Sequence, residues 1–275
     1  MKRIDSHQHF WQVDRGDYAW LTPELTGLYK DHLPQSIQQY LTQESISQTI
    51  LVQAADTVAE TDFILALAEQ HDFIAGVVGW IDMESSTAIE QLTRLNQNPY
   101  FKGVRPMIQD IVDVNWMLKS ELAPVFDYLI ANDLTFDALV KLEHIDALLQ
   151  LLKRYPTLKV VINHGAKPDI ASNQCHQWFE QIELVAKETS AYCKLSGLIT
   201  EASINTSMAA LTPYMEHLYS VFGSQRLMWG SDWPVINLAA DYPSWIKCLE
   251  NFLSKLPVEQ QQSIWAENAQ SFYRI

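Results

Sequence analysis

The chain has 275 residues, of which 48% are hydrophobic and 19% charged, enough apolar material for one large folded domain. Its 9 glycines and 11 prolines are too few for extended disordered linkers. The formal net charge of −14 argues against a nucleic-acid partner, because a polyphosphate requires a basic face on the protein.

The three cysteines, Cys175, Cys193 and Cys248, are widely spaced and form no CxxC pair. This usage predicts reduced thiols in the cytoplasm rather than a disulfide framework. The N-terminal MKRIDSHQHFW lacks the apolar stretch of a signal peptide, and no apolar run reaches the about 18 residues that a membrane span needs. We therefore expect a cytoplasmic protein with no membrane partner, and the sequence leaves open whether it forms a homo-oligomer.

Short apolar runs rich in β-forming residues alternate with longer stretches of helical period along the whole chain. This alternation is typical of βα units around a parallel sheet, and eight such runs match the strand count of a (β/α)8 TIM barrel. In chain order the predicted strands are Arg3–Ser6, Thr49–Ala55, Ile74–Asp82, Phe101–Met107, Leu134–Val140, Lys159–Gly165, Ala191–Leu198 and Arg226–Asp232.

The stretches between these runs include amphipathic segments long enough for crossover helices, at Thr57–His71, Glu143–Tyr155 and Gln174–Thr189. Helical sequence from Trp265 to Ile275 is expected to pack across the barrel. A doubly wound open sheet is the alternative, but it often carries a glycine-rich phosphate loop, and none follows the first run. We predict a single α/β domain over residues 1–275, a TIM barrel distorted by enlarged loops and closed by C-terminal helix.

The first predicted strand runs into DSHQHFW, which contains His7 and His9. Reactive groups of TIM barrels lie at the carboxyl ends of the strands, and residues two apart in a strand share one face. Both imidazoles are therefore candidates to bind one cation at the barrel mouth. The alternative is two unrelated polar histidines, and HxH alone does not decide between these readings.

The eighth run ends in WGSDWP, which places Asp232 at the same mouth. Strands one and eight are neighbours in a closed barrel, so we expect Asp232 beside His7 and His9. A carboxylate there can complete a metal site, take a proton from an attacking water, or do both. Its alternative role is a helix N-cap or turn residue, worth about 1 kcal/mol. The coupling to the two histidines favours catalysis.

Several segments together resemble the lactonase branch of the amidohydrolase superfamily. They are IDSHQHFW, YAWL, KGVRPMIQ, VINHGAKP, YCKLSGL, GSDWP and NAQSFYRI, and they occur in this order from the first residues to the last. That branch includes hydrolases of fucono-, rhamnono- and galactono-lactones and the 2-pyrone-4,6-dicarboxylate lactonases. The resemblance is specific for the family and poorly specific for the substrate.

The resemblance implies roles for individual residues. His7 and His9 would be the histidine pair of the first strand, available to a metal or to substrate, and Asp232 would be the general base. His164, at the end of the sixth run, would be the family's inward catalytic histidine, against the alternative of a core histidine bonded to a carbonyl. Arg105, at the end of the fourth run, resembles an arginine that binds substrate oxygen atoms, against the alternative of a buried ion pair.

The departures from the wider superfamily concern the metal. Many amidohydrolases place a metal-bridging lysine or glutamate on strand four and a histidine on strand five, where this chain has Arg105 and Asp137. A two-metal centre is therefore not expected. One divalent ion, with zinc as the first candidate, would be held by His7, His9 and Asp232, and catalysis without metal remains the alternative.

Four other residues are candidates for the pocket. Tryptophan faces pack against sugar rings, and Trp233 and then Trp11 are the ones we expect as walls, although core packing is the more common use of tryptophan. Lys194 could point inward to substrate or elsewhere. Asn237, just past the eighth run, is a candidate reader of hydroxyl groups.

We therefore predict a hydrolase that opens a small sugar lactone with a water activated by Asp232. A sugar lactone is favoured over an anionic pyrone, because only Arg105 is a convincing cation at a strand end. The alternatives are a metal-dependent decarboxylase of the same superfamily, which should carry a histidine where Asp137 stands, and a barrel that binds ligand without catalysis. The retained polar groups argue against the inactive barrel.

Overall fold

The computed structural model describes residues 1–173, 175–203 and 206–275. Its centre is one eight-stranded parallel sheet whose strands follow one another in sequence order. Each predicted run overlaps one strand; six strands lie within their runs, while β1 extends two residues beyond its run and β2 begins one residue before its run. The strands are β1 (Ile4–Gln8), β2 (Gln48–Val52), β3 (Ile74–Gly79), β4 (Phe101–Val104), β5 (Thr135–Ala138), β6 (Lys159–Ile162), β7 (Tyr192–Leu195) and β8 (Leu227–Trp229).

A helix follows every strand, so the predicted (β/α)8 TIM barrel is confirmed. The predicted helix Gln174–Thr189 is shorter at both ends, and its residue Gln174 lies outside the described residues. The helices are α1 (Pro34–Gln43), α2 (Val58–Gln70), α3 (Ala88–Leu95), α4 (Ala123–Ala131), α5 (Ile145–Arg154), α6 (His176–Glu188), α7 (Thr212–Phe222), α8 (Tyr242–Leu253), α9 (Val258–Gln262) and α10 (Asn268–Tyr273).

Local chemistry explains where two of these helices begin. The side chain of Thr57 accepts the N–H of Glu60 at 3.0 Å at the start of α2, and that of Asp241 accepts the N–H of Ser244 at 2.7 Å at the start of α8. Each bond satisfies an amide that the first helical turn leaves free. No helix in the described ranges combines the length and hydropathy needed to cross a bilayer.

The barrel closes where β1 meets the residues after β8. The N–H of His9 donates to the carbonyl of Trp233 at 2.7 Å, and the N–H of Asp232 donates to the carbonyl of His7 at 2.8 Å. Gly230 permits this approach, since a Cβ there would lie 2.6 Å from the Cβ of His7. Two segments more than two hundred residues apart in sequence are thereby joined at the mouth.

The C-terminal segment closes the opposite end of the barrel, as expected. After α9 a π-helical turn (Ser263–Glu267) leads into α10, where the Asn268 side chain donates to the carbonyl of Leu227 at 2.6 Å. Phe272 and Tyr273 pack with apolar side chains of the strands, so this end is filled. The open end is therefore the carboxyl end of the strands, where TIM barrels place their active sites.

Candidate active site

A cavity of about 260 Å³ opens at the carboxyl ends of the strands. Four residues predicted from the sequence line it: His9, Arg105, His164 and Asp232. They follow the carboxyl ends of β1, β4, β6 and β8, so the fold collects them from across the whole chain. His7 lies directly behind them and is fully buried.

One carboxylate oxygen is the centre of the site. Asp232 Oδ1 lies 3.2 Å from His9 Nε2, 3.6 Å from His7 Nε2 and 3.8 Å from His164 Nε2. Asp232 itself is 4% exposed, so this contact is shielded from bulk water but open to the cavity. The convergence predicted for β1 and β8 is present, and His164 joins it.

Each of the three imidazole rings is held through its Nδ1 atom, the ring nitrogen that does not face Asp232. His9 Nδ1 donates to the carbonyl of Val52 at 2.8 Å, and His164 Nδ1 shares a hydrogen bond of 2.8 Å with Ser196 Oγ. These contacts leave the Nε2 atoms facing Asp232. Fixed ring orientation is what a metal site or a preorganised catalytic site requires.

His7 is held from below by a buried ion pair. Lys194 Nζ lies 3.2 Å from His7 Nδ1, 2.9 Å from the carbonyl of Ser6 and 2.7 Å from Asp137 Oδ2. Asp137 also accepts the hydroxyl of Tyr273 at 2.8 Å. Lys194 therefore points into the barrel, where it supports His7 and does not line the cavity.

The turn after β6 has an unusual backbone. His164, Gly165, Ala166 and Lys167 take φ values of 52, 58, 61 and 50°, and three of the four are not glycine. Left-handed backbone costs a residue with a Cβ roughly 1–2 kcal/mol. Asp232 also has a positive φ, at 57°. Strained backbone of this kind concentrates at functional sites, where the surrounding structure holds it in place.

Burial sets the protonation of the site. It lowers the pKa of His164 to about 3 and brings those of His7 and His9 below 6.5, so the rings are neutral at pH 7. Burial alone would raise the pKa of Asp232, but the neighbouring His164, His9 and Lys167 outweigh it and hold that pKa below 3.8. The site therefore presents an ionised carboxylate among neutral imidazoles.

Arg105 is held by one residue of the neighbouring strand end. Gln53 Oε1 accepts Arg105 Nε at 3.2 Å and Nη2 at 2.6 Å, and the carbonyl of Gln53 also accepts Nη2. Burial lowers the pKa of Arg105 to about 10, so it is charged at pH 7. Its Nη1 makes no hydrogen bond with the described residues and is available to a ligand in the cavity.

The structure does not bring Trp233, Trp11 or Asn237 into the cavity. The Trp233 ring packs edge-on against His32 and is 2% exposed, and Trp11 is fully buried beside Trp20. Asn237 is exposed and lies outside the lining residues. The tryptophan that does form a wall is Trp20, whose indole N–H donates to the carbonyl of Ala54 at 2.7 Å.

Sequence reasoning also missed three polar lining residues, Lys167, Gln109 and Asp110. They lie in the loops after β6 and β4, a few residues beyond the ends of the predicted runs. A signal was present, because Gln109 closes the KGVRPMIQ segment and Lys167 lies in VINHGAKP. The remaining wall is apolar and includes Met107, Leu139 and Val235.

The donor set of His7, His9 and Asp232 fits one divalent metal ion. Their ligand atoms all lie within 4.8 Å of one another. His7 Nε2 is buried without a hydrogen-bond partner among the described residues. With the His9 proton on Nδ1, two acceptors face each other at His9 Nε2 and Asp232 Oδ1, and a shared cation satisfies both. Two nitrogens and one carboxylate oxygen are ligands of the type zinc accepts.

A TIM barrel that gathers histidines and an aspartate at the carboxyl ends of β1, β6 and β8 is the framework of a barrel hydrolase. The family model described as Amidohydrolase matches residues 4–275. The chain therefore belongs to the amidohydrolase family.

Two relatives and one solved structure are similar over nearly the full length of this chain. L-fucono-1,5-lactonase of Burkholderia ambifaria is 39% identical, covering 99% of this chain and 96% of that protein. L-fucono-1,5-lactonase of Burkholderia multivorans is 31% identical over 99% and 96%. A crystal structure of an amidohydrolase from Burkholderia multivorans with bound Zn is 31% identical, with a TM-score of 0.95 and 100% of both chains covered.

Proposed function

We propose that this enzyme hydrolyses a small sugar lactone, with L-fucono-1,5-lactone as the first candidate substrate. The observation that carries the proposal is one ionised carboxylate, Asp232, surrounded by three imidazole nitrogens at the wall of a cavity sized for a single sugar ring. The fuconolactonases at 39% and 31% identity support the choice of substrate.

In this mechanism Asp232 acts as general base. It accepts a proton from a water molecule whose oxygen attacks the lactone carbonyl carbon, and the carbonyl electron pair moves onto oxygen. When the tetrahedral species collapses, the bond from that carbon to the ring oxygen breaks and Asp232 returns its proton to the leaving alkoxide. The product is a hydroxy acid, which then releases a proton to solvent.

Preorganised donors stabilise the oxyanion in this scheme. Arg105 Nη1 is directed by Gln53 and has no other partner in the described residues. When Ser196 Oγ donates to His164 Nδ1, the His164 proton lies on Nε2, which faces Asp232 and the cavity. Such donors lower the barrier because they are in place before charge develops on the oxygen.

We further propose that the metal is a single zinc ion bound by His7, His9 and Asp232. A bound divalent ion would polarise the lactone carbonyl or lower the pKa of a bound water. The crystal structure with zinc at 31% identity supports this choice.

We also propose a cytoplasmic location, which is supported by the absence of disulfides among the cysteines Cys175, Cys193 and Cys248.

The apolar part of the cavity supports a 6-deoxy sugar. Met107, Leu139 and Val235 present carbon surface, which favours a methyl group over a hydroxymethyl group at the end of the ring. The decarboxylase alternative requires a histidine where Asp137 stands. Asp137 on β5 instead pairs with Lys194 inside the barrel and does not line the cavity, so this alternative is not supported.

The test is hydrolysis of a panel of aldonolactones and a pyrone lactone, followed with a pH indicator before and after chelator treatment. We expect rapid hydrolysis of L-fucono-1,5-lactone, loss of activity on chelation and recovery with added zinc. Full activity after chelation, with no metal detected in the protein, would contradict the metal assignment alone. No hydrolysis of any lactone by the zinc-loaded enzyme would contradict the proposed function.

Replacement of Arg105 by Met is expected to lower kcat/KM about 10- to 100-fold, mainly through kcat, because it removes a charged donor that stabilises the oxyanion. Steady-state kinetics with the preferred lactone measures the change. Arg94→Met is the matched control, because Arg94 forms an exposed ion pair with Asp62 on the outer surface. If KM and kcat of the Arg105 variant both equal those of the control, Arg105 does not contact substrate.

A further inference from the structure

Lys167 reaches the cavity from the strained turn after β6. Its Nζ donates to Gln109 Oε1 at 3.1 Å and lies 3.0 Å from Glu201 Oε1. Gln109 follows β4 and Glu201 follows β7, so the loops of three different strands meet at this ammonium group. The side chain is 21% exposed, which is low for a lysine on a loop.

The hydrogen bonds of Lys167 leave one donor for a ligand. An ammonium group has three N–H bonds. Two are taken by Gln109 and Glu201, and the third has no partner in the part of the chain that the structure describes. Because Lys167 lines the cavity, that third N–H is accessible to a molecule bound there.

The groups around Lys167 favour a neutral ligand group over an anionic one. Glu201 offsets the charge of the ammonium, and the carboxylate of Asp110 also lines the cavity. A carboxylate group on the ligand would therefore meet repulsion as well as attraction. A neutral hydroxyl group can accept from Lys167 and donate to Gln109 or Asp110 at the same time.

The backbone shows that this placement is built into the fold. Lys167 is the fourth residue of the left-handed turn that begins at His164, with φ of 50°. The same turn therefore positions both the imidazole beside Asp232 and the ammonium on the adjoining wall. Strained backbone concentrates at functional sites, and this ammonium is also held by acceptors from two separate loops, so its position points to a role in the cavity.

We propose that Lys167, held by Glu201 and Gln109, recognises hydroxyl groups of the sugar lactone and determines substrate specificity. This inference rests on the proposed lactonase activity. Lys167 acts on the hydroxyl-bearing part of the ring, while Asp232 acts at the carbonyl. The preferred substrate class is therefore a neutral polyhydroxylated lactone rather than a lactone with a second carboxylate.

The experiment compares two substrates of one ring size, L-fucono-1,5-lactone and δ-valerolactone, which lacks the hydroxyl groups. For Lys167→Met we expect KM for fuconolactone to rise about 10- to 100-fold, as for loss of a charged hydrogen-bond donor. For δ-valerolactone we expect kcat/KM within about twofold of wild type, because no hydroxyl contact is lost. Lys159→Met, at an exposed ion pair with Asp133, is the matched control.

A thermal unfolding curve for each variant separates loss of folding from loss of contact. Lys167→Gln, which keeps an uncharged amide NH2 group as a donor, is expected to lose less affinity for fuconolactone than Lys167→Met. Equal losses on both lactones would place Lys167 in the chemical step and overturn the proposal. Unchanged kinetics on both would overturn it as well. A wild-type enzyme that hydrolyses neither lactone would overturn the proposed function and this inference together.

Discussion

Asp232→Asn is expected to lower kcat at least about 100-fold, which is the usual contribution of a general base. An amide has nearly the shape of a carboxylate but cannot take a proton from water at neutral pH. Asn also tolerates positive φ better than most residues, so the backbone at φ 57° should be retained. Steady-state hydrolysis of the preferred lactone, with zinc content measured in parallel, gives the result.

The control for this change is Asp62→Asn, which removes a carboxylate from an exposed ion pair with Arg94. That variant should hydrolyse the lactone at the wild-type rate. If Asp232→Asn retains near-normal turnover at normal zinc content, Asp232 is not the base. If turnover falls only in proportion to lost zinc, its role is that of a ligand alone.

The second large effect is on stability. Lys194→Met is expected to lower the free energy of unfolding by about 3–5 kcal/mol, because it leaves the carboxylate of Asp137 buried and unpaired. Both side chains are 0% exposed, and their atoms lie 2.7 Å apart. Urea denaturation followed by tryptophan fluorescence measures the loss.

Lys159→Met provides the comparison, because Lys159 pairs with Asp133 while 35% exposed. An exposed pair contributes about 0–1 kcal/mol, so this variant should unfold close to wild type. The double variant Lys194→Met with Asp137→Asn should regain part of the loss, since the unpaired charge is gone. Similar urea midpoints for both single variants would show that the buried pair stabilises the fold no more than the exposed pair does.

Much of this protein could be predicted from its sequence because the signals are local and repeated. Eight apolar runs separated by helical stretches were sufficient for the barrel, which the structure confirms. Closure of a barrel brings its first and last strands together, so the proximity of Asp232 to His7 and His9 followed from topology. The roles of Arg105 and His164 were implied by the family resemblance, and both residues lie at strand ends that face the mouth.

The cavity walls were decided by tertiary structure alone. Trp20 and Trp233 both follow strands, yet the segment after β1 folds across the mouth with Trp20 inward, while closure of β1 on β8 buries Trp233. Lys167 faces the cavity because the chain takes a left-handed turn from His164, a conformation that its residue types do not favour. Loop paths depend on contacts between segments distant in sequence. Strand periodicity and barrel closure therefore predict where the reacting groups lie, and only the tertiary structure decides which side chains line the cavity.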